Sequence, residues 1–143
     1  MDALNQLETI TRDLLAAYNI TQPPVPVETM LREPRAGMWE ELDLNQLSGT
    51  FLSLKSRYSP RMSMARMLAR HAAGSEWGKS RGLNELFKNN KENLAAFARM
   101  LLMPADLVLS VSAGVRNPTV LSMRFEVPEE DALARLQDLA DRF

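Results

Sequence analysis

The chain has 143 residues, 45% of them hydrophobic and 24% charged, a composition typical of one globular domain rather than a disordered segment. It contains no cysteine and one histidine, His71, which excludes disulfides, thiolate zinc sites, cysteine nucleophiles and any site that needs two imidazoles. No apolar run reaches the roughly 18 residues of a membrane span, and the first residues lack a secretory signal pattern, so we expect a cytoplasmic domain.

The net charge of −1 conceals an uneven distribution along the chain. Residues 1–54 carry a net charge of −5, residues 55–99 carry +7 and residues 100–143 carry −3. The basic middle can attract a phosphate-bearing or acidic partner, or it can pair with the acidic ends of the same chain. Pairing within the chain is favoured, because the basic and acidic segments belong to one domain and lie close together once it folds.

The first predicted helix runs from about Asp2 to Tyr18, with its apolar residues at helical spacing and Asp2 as its cap. Asn19 is expected to end it in the left-handed conformation. The segment Gln22–Pro26 contains three prolines and must be extended, because each proline lacks an amide donor. We interpret it as an internal connector within a single domain of residues 1–143.

Residues 36–56 are the only region that predicts strands, two or three of them, around a turn at Gly49. The remaining helices are predicted over Pro26–Leu31, Ser59–Gly74, Asn90–Met103, Pro118–Phe125 and Pro128–Asp141, with the Ser59 hydroxyl as a cap. Residues 75–90 are predicted to be irregular. Because the helix Asn90–Met103 is apolar around most of its circumference, we expect it to be central and buried. The expected class is α+β, mostly α-helical, with a small three-stranded sheet.

Three segments carry a family resemblance. Arg61–His71 reads RMSMARMLARH, Glu92–Pro104 reads ENLAAFARMLLMP, and Leu121–Leu136 contains a short helix, a turn at Phe125 and a final helix. In order and spacing the chain resembles the ImmA/IrrE family of bacterial and phage metallopeptidase-like proteins. The resemblance implies a zincin-like fold, in which the central helices pack against the small sheet.

The resemblance places the zinc ligands and the general base on residues that cannot fill those roles. The two histidines of the family's HExxH motif fall on Arg66 and Arg70, its glutamate on Met67, and the third ligand on Lys91, beside Glu92. A guanidinium stays protonated near pH 7 and cannot ligate zinc, and a thioether cannot transfer a proton. We therefore expect a pseudo-peptidase that holds no zinc and no other cofactor.

Arg66 and Arg70 lie one helical turn apart, on the face where a family member would hold its metal. They can replace that cation by pairing with an acidic side chain, for which Glu92 is the nearest candidate. They can instead form, with Arg61 and His71, a site for an anion or a partner. Internal pairing is favoured, because a buried charge without a partner is costly.

Family members commonly act with a helix-turn-helix repressor encoded nearby, so the resemblance implies a regulatory domain that binds such a repressor or another protein. The alternative is an anion- or nucleic-acid-binding module that uses the basic region 55–99. DNA binding through the last helix is disfavoured, because Glu129, Glu130 and Asp131 open it and repel phosphates. An enzyme with unrecognised chemistry is a third class, but the spacing of the carboxylates singles out no pair.

Overall fold

Residues 2–40 and 58–140, the part of the chain that the computed structural model describes, form an all-α arrangement. They contain nine α-helices: α1 Ala3–Ala17, α2 Val27–Arg32, α3 Ser59–Gly74, α4 Glu76–Ser80, α5 Leu83–Phe87, α6 Lys91–Leu102, α7 Ala105–Leu109, α8 Pro118–Phe125 and α9 Glu129–Asp138. A 3-10 turn, Ala113–Val115, joins α7 to α8. None of the helices in these two ranges is long and apolar enough to cross a membrane.

The expected α+β class with a three-stranded sheet is wrong, because the described residues hold helices and no strand. Most of the predicted strand region, residues 41–56, lies outside the described residues. The part that is described, 36–40, makes a turn at Gly37, whose φ is +81°. The Gly37 carbonyl accepts the Trp77 amide at 2.9 Å, and the Trp39 indole donates to the Leu31 carbonyl at 3.0 Å. These contacts join the segment to α4 and α2 instead of to a neighbouring strand.

Helix boundaries follow the capping residues that the sequence predicts. Asp2 accepts the amide of Asn5 at 2.9 Å, and Asn19 has a φ of +56° after α1. Asn90, predicted as the first residue of its helix, is instead the cap of α6 and accepts the amide of Asn93 at 2.9 Å. The predicted hydroxyl cap at Ser59 is wrong, since Ser59 is the first residue of α3 and not the residue before it.

Residues 75–90 are helical where irregular structure was expected. The Ser75 hydroxyl donates to the Ala72 carbonyl at 2.6 Å and accepts the Gly78 amide at 3.2 Å, so it ends α3 and begins α4. Gly82, with a φ of +78°, turns the chain into α5. Both helices have five residues, and tertiary packing stabilises such short helices more than intrinsic propensity does.

The helix α6 lies at the centre of the described fold, as its sequence predicts. It contacts α1, α3, α5 and α9. Phe97, Ala98, Leu101 and Leu102 have no exposed surface, and the Phe97 ring meets Phe87 of α5 edge-on, with ring centroids 5.5 Å apart. The helices α3 and α6 carry two of the three segments that resemble the family, and they pack against each other more extensively than any other pair of helices in the described residues.

Candidate functional site

The positions expected for a zinc centre are divided between the packed helices α3 and α6. Arg66 and Met67 are half-buried on α3, whereas Arg70 is exposed one turn further on. Lys91 and Glu92 are both exposed in the first turn of α6. Among the ion pairs of the described residues there is none between Arg66 and Glu92, so the structure does not bring together the pair that the sequence favours.

The charge of Arg66 instead acts on one acidic residue of α9. Its guanidinium donates to the Ser63 hydroxyl at 3.4 Å and interacts electrostatically with the carboxyl of Asp131. Arg99 of α6 interacts with the same carboxyl and forms an ion pair with Asp138 at 3.4 Å. Arg66, Arg99, Asp131 and Asp138 are called the α3–α6–α9 charge cluster below. Within this set the ion pair of Arg99 with Asp138 joins α6 to α9, and Arg66, at the first expected histidine position, acts on Asp131 through its charge.

Burial raises the pKa of the Asp131 carboxyl above its ordinary value, and the neighbouring Glu130 carboxylate raises it further. Arg66 and Arg99 act in the opposite direction without cancelling these effects. The ionised form of Asp131 is therefore less favourable in the folded protein than in the unfolded chain.

Replacing Asp131 by asparagine is expected to make the protein at least as stable as the wild type at pH 7. A carboxyl whose pKa is raised by folding contributes stability below its unfolded-state pKa, and this contribution is lost as the pH rises through its folded-state pKa. Any advantage of Asp131→Asn in the free energy of unfolding should therefore disappear on acidification from pH 7 to pH 4, as measured by urea denaturation. The control is Glu129→Gln, an exposed carboxylate in the same turn. An Asp131→Asn variant that is less stable at pH 7, with a deficit that shrinks in acid, would contradict this expectation.

Arg61, another predicted anion or partner residue, is occupied by contacts within the fold. Its Nη2 donates to the Val25 carbonyl at 2.8 Å, its Nε donates to the Glu126 carbonyl at 3.1 Å, and its Nη1 pairs with Glu28 at 3.4 Å. Glu126 has a φ of +57°, which turns its carbonyl out of α8. These bonds join α3 to the segment before α2 and to the end of α8, so they favour a structural role for Arg61.

Arg70 and His71 line a groove of about 440 Å³ at the end of α3. Both side chains are exposed, and the groove also contains the partly buried Met38, the buried Trp39 and the exposed Glu40. We call it the Arg70–His71 groove. The groove combines apolar walls with a guanidinium, an imidazole and a carboxylate. Such a mixed surface is suited to a polar peptide or protein segment.

The basic middle of the chain forms ion pairs with its acidic ends. Within the described ranges, Arg61 pairs with Glu28, Arg99 with Asp138, and Arg81 with Asp13 at 3.6 Å. The Arg81 guanidinium also stacks on the Trp77 ring, 4.0 Å from its centroid. These contacts support internal pairing over a continuous basic surface for nucleic acid.

The ion pair of Glu8 with Arg135 is the feature that sequence reasoning missed. The side chain of Arg135 has no exposed surface, and its Nη1 and Nη2 donate to the two Glu8 carboxylate oxygens at 2.7 and 2.9 Å. Its Nε donates to the Met103 carbonyl at 2.8 Å. One signal was available: Arg135 lies at helical spacing between the buried residues Ala132 and Leu139, on the apolar stripe of α9. A cation on such a stripe predicts a buried anion.

A search of residues 2–40 and 58–140 for three or more histidine, cysteine, aspartate or glutamate side chains that could hold a metal ion finds no such group. Comparisons with protein-family models, with characterised proteins and with solved structures find no match to this chain. The resemblance to the ImmA/IrrE family therefore stays a prediction.

Proposed function

We propose that the chain is a non-catalytic regulatory domain, a pseudo-peptidase related to the ImmA/IrrE proteins, that binds a cytoplasmic helix-turn-helix repressor without cleaving it. The observation that carries the proposal is the Arg70–His71 groove. It places an exposed cation and the chain's one histidine beside Met38 and Trp39, at the position that the resemblance assigns to the second zinc ligand.

The charge cluster around Arg66 supports the loss of metal chemistry. A zincin binds its metal cation through neutral imidazoles. Arg66, at the position of the first imidazole, is itself positively charged, and its charge interacts with the carboxyl of Asp131. Arg66 thus places a permanent positive charge on the face of α3 where a family member would hold its metal, and this charge favours the ionised form of Asp131 on α9. In this proposal Arg66 stands in for the charge of the metal but not for its chemistry, and the exposed Arg70, one turn further on, remains available to a partner.

The partner is proposed to present an acidic residue to Arg70 and an apolar side chain to the Met38–Trp39 wall. An arginine fork binds a carboxylate through two parallel hydrogen bonds, which provides orientation as well as attraction. The alternative, an anion or nucleic-acid module using the basic region 55–99, has less support, because Arg61, Arg81 and Arg99 are paired within the fold.

The test mixes the purified chain with each helix-turn-helix regulator encoded near its gene, the class of partner that the resemblance implies, with and without added zinc. We expect a complex by isothermal titration calorimetry and an intact repressor by mass spectrometry. Arg70→Glu should weaken binding at least tenfold, because it reverses the charge in the groove. The matched control is Lys79→Glu, which reverses an exposed charge on α4 outside the groove and should bind as the wild type does. Zinc-dependent cleavage of the repressor, no complex, or equal binding by Arg70→Glu would each contradict the proposal.

A further inference from the structure

A second cavity, with a volume of about 330 Å³, lies between α1 and the beginning of α7. It shares no lining residue with the Arg70–His71 groove. Most of its wall is apolar and comes from Leu15, Ala16, Ile20, Pro104 and Leu107. Its volume is within the range of roughly 300–1,000 Å³ that is typical of small-molecule sites, which are mostly apolar with a few fixed polar groups.

Two of the polar residues that line this cavity, Glu8 and Thr11, can act only as hydrogen-bond acceptors towards a ligand. Glu8 lines the cavity, and each of its carboxylate oxygens already accepts one bond from Arg135. Because a carboxylate can accept about four bonds, each oxygen keeps acceptor capacity. The buried Thr11 hydroxyl, also in the wall, donates its proton to the Leu7 carbonyl at 2.8 Å and is left with acceptor lone pairs. A ligand group that bonds to Glu8 or to Thr11 must therefore donate the hydrogen bond.

The electrostatics of the cavity favour an uncharged donor. Arg135 already neutralises Glu8, so a ligand cation would lie next to a second buried cation, and a ligand anion would lie against the carboxylate. At the mouth, exposed Arg12 and exposed Asp106 have opposite charges. The cavity therefore offers no net charge to compensate a buried ion. The ion pair also fixes the Glu8 carboxylate in place, so a ligand does not have to order it.

From this geometry we propose that the cavity is a binding site for a small uncharged molecule with an apolar body and a hydroxyl head. The hydroxyl donates to the Glu8 carboxylate or to the Thr11 hydroxyl, and the apolar body packs on Leu15 and Ile20. Medium-chain alcohols and phenols have this chemistry. The site is separate from the proposed protein-binding groove and does not depend on it.

The test is a titration of the full chain with three probes that have the same octyl chain: 1-octanol, octylammonium and nonanoate. Binding is followed by isothermal titration calorimetry and by amide shifts of residues in α1 and α7. We expect 1-octanol to bind at least tenfold more tightly than either charged probe. No binding of 1-octanol, or equal or tighter binding of a charged probe, would overturn the proposal.

A pair of variants locates the site. Ala16 and Ala17 are both exposed in the last turn of α1, but Ala16 lines the cavity and Ala17 does not. Because both positions are exposed, a tryptophan at either one should leave the fold intact, which circular dichroism verifies. Ala16→Trp is expected to weaken 1-octanol binding at least tenfold by filling the cavity, and Ala17→Trp is expected to leave it unchanged. Wild-type affinity in Ala16→Trp would show that octanol binds elsewhere and would overturn the assignment.

Discussion

Replacing Glu8 by glutamine is expected to lower the free energy of unfolding by about 3–5 kcal/mol, because Arg135 would then be a buried charge without a counterion. The Arg135 side chain has no exposed surface, and the Glu8 carboxylate accepts a bond from each of its two Nη atoms. The bond from Arg135 to the Met103 carbonyl would remain, but a carbonyl dipole does not neutralise a full charge. Urea denaturation at pH 7 measures the loss, with the slope of the transition checked for two-state behaviour.

The control for this prediction is Asp13→Asn, which makes the same carboxylate-to-amide change on the same helix. Asp13 pairs with Arg81 at 3.6 Å, and both side chains are well exposed, so the expected loss is below about 1 kcal/mol. The double variant Glu8→Leu/Arg135→Met removes both charges together and is expected to recover most of the stability that Glu8→Gln loses. If Glu8→Gln and Asp13→Asn lowered the free energy of unfolding equally, burial would not determine how much each ion pair contributes to stability, and the prediction would be contradicted.

The long helices could be predicted from the sequence because their limits are local. Asp2, Asn90 and Asn117 each accept an amide hydrogen from the residue three positions further on, so the signal and its partner lie within one turn. The burial of α6 follows in the same way from one stretch of sequence. The α+β class was wrong: strands were predicted over 36–56, and in the part of that region that the structure describes, at 37–39, contacts with α2 and α4 determine the backbone.

The contacts that join distant segments could not be predicted in the same way. Glu8 and Arg135 are 127 positions apart, and the sequence gives no rule for pairing one buried cation with one of eighteen acidic residues. Glu92 was the favoured partner of Arg66 because the resemblance brings the beginning of α6 near α3. The electrostatic partner is Asp131, because α9 packs against α6 and brings its first turn towards Arg66. The packing of the helices therefore determines that Asp131, and not Glu92, interacts electrostatically with Arg66.

Gly78→Ala is expected to lower the free energy of unfolding by about 3 kcal/mol, although alanine is the better helix former. A Cβ atom at Gly78 would lie 1.9 Å from the Ala72 carbonyl oxygen and 2.7 Å from its carbon. Both are backbone atoms of α3, so no side-chain rotation relieves the clash. The helix α4 would have to move away from α3, which breaks the bonds of Ser75 to Ala72 and Gly78. Thermal and urea denaturation measure the effect.

Gly74→Ala provides the matched control, because Gly74 ends α3 and a Cβ there would meet no atom within 4 Å. At this position alanine is expected to stabilise the protein by about 0.5–1 kcal/mol, through helix propensity and a less flexible unfolded chain. The same substitution should thus have opposite signs at two glycines four residues apart. If both variants were stabilised, the close packing of α4 on α3 would be contradicted. Because Ser75 lines the Arg70–His71 groove and also begins α4, that packing determines the shape of the groove as well as the stability of the fold.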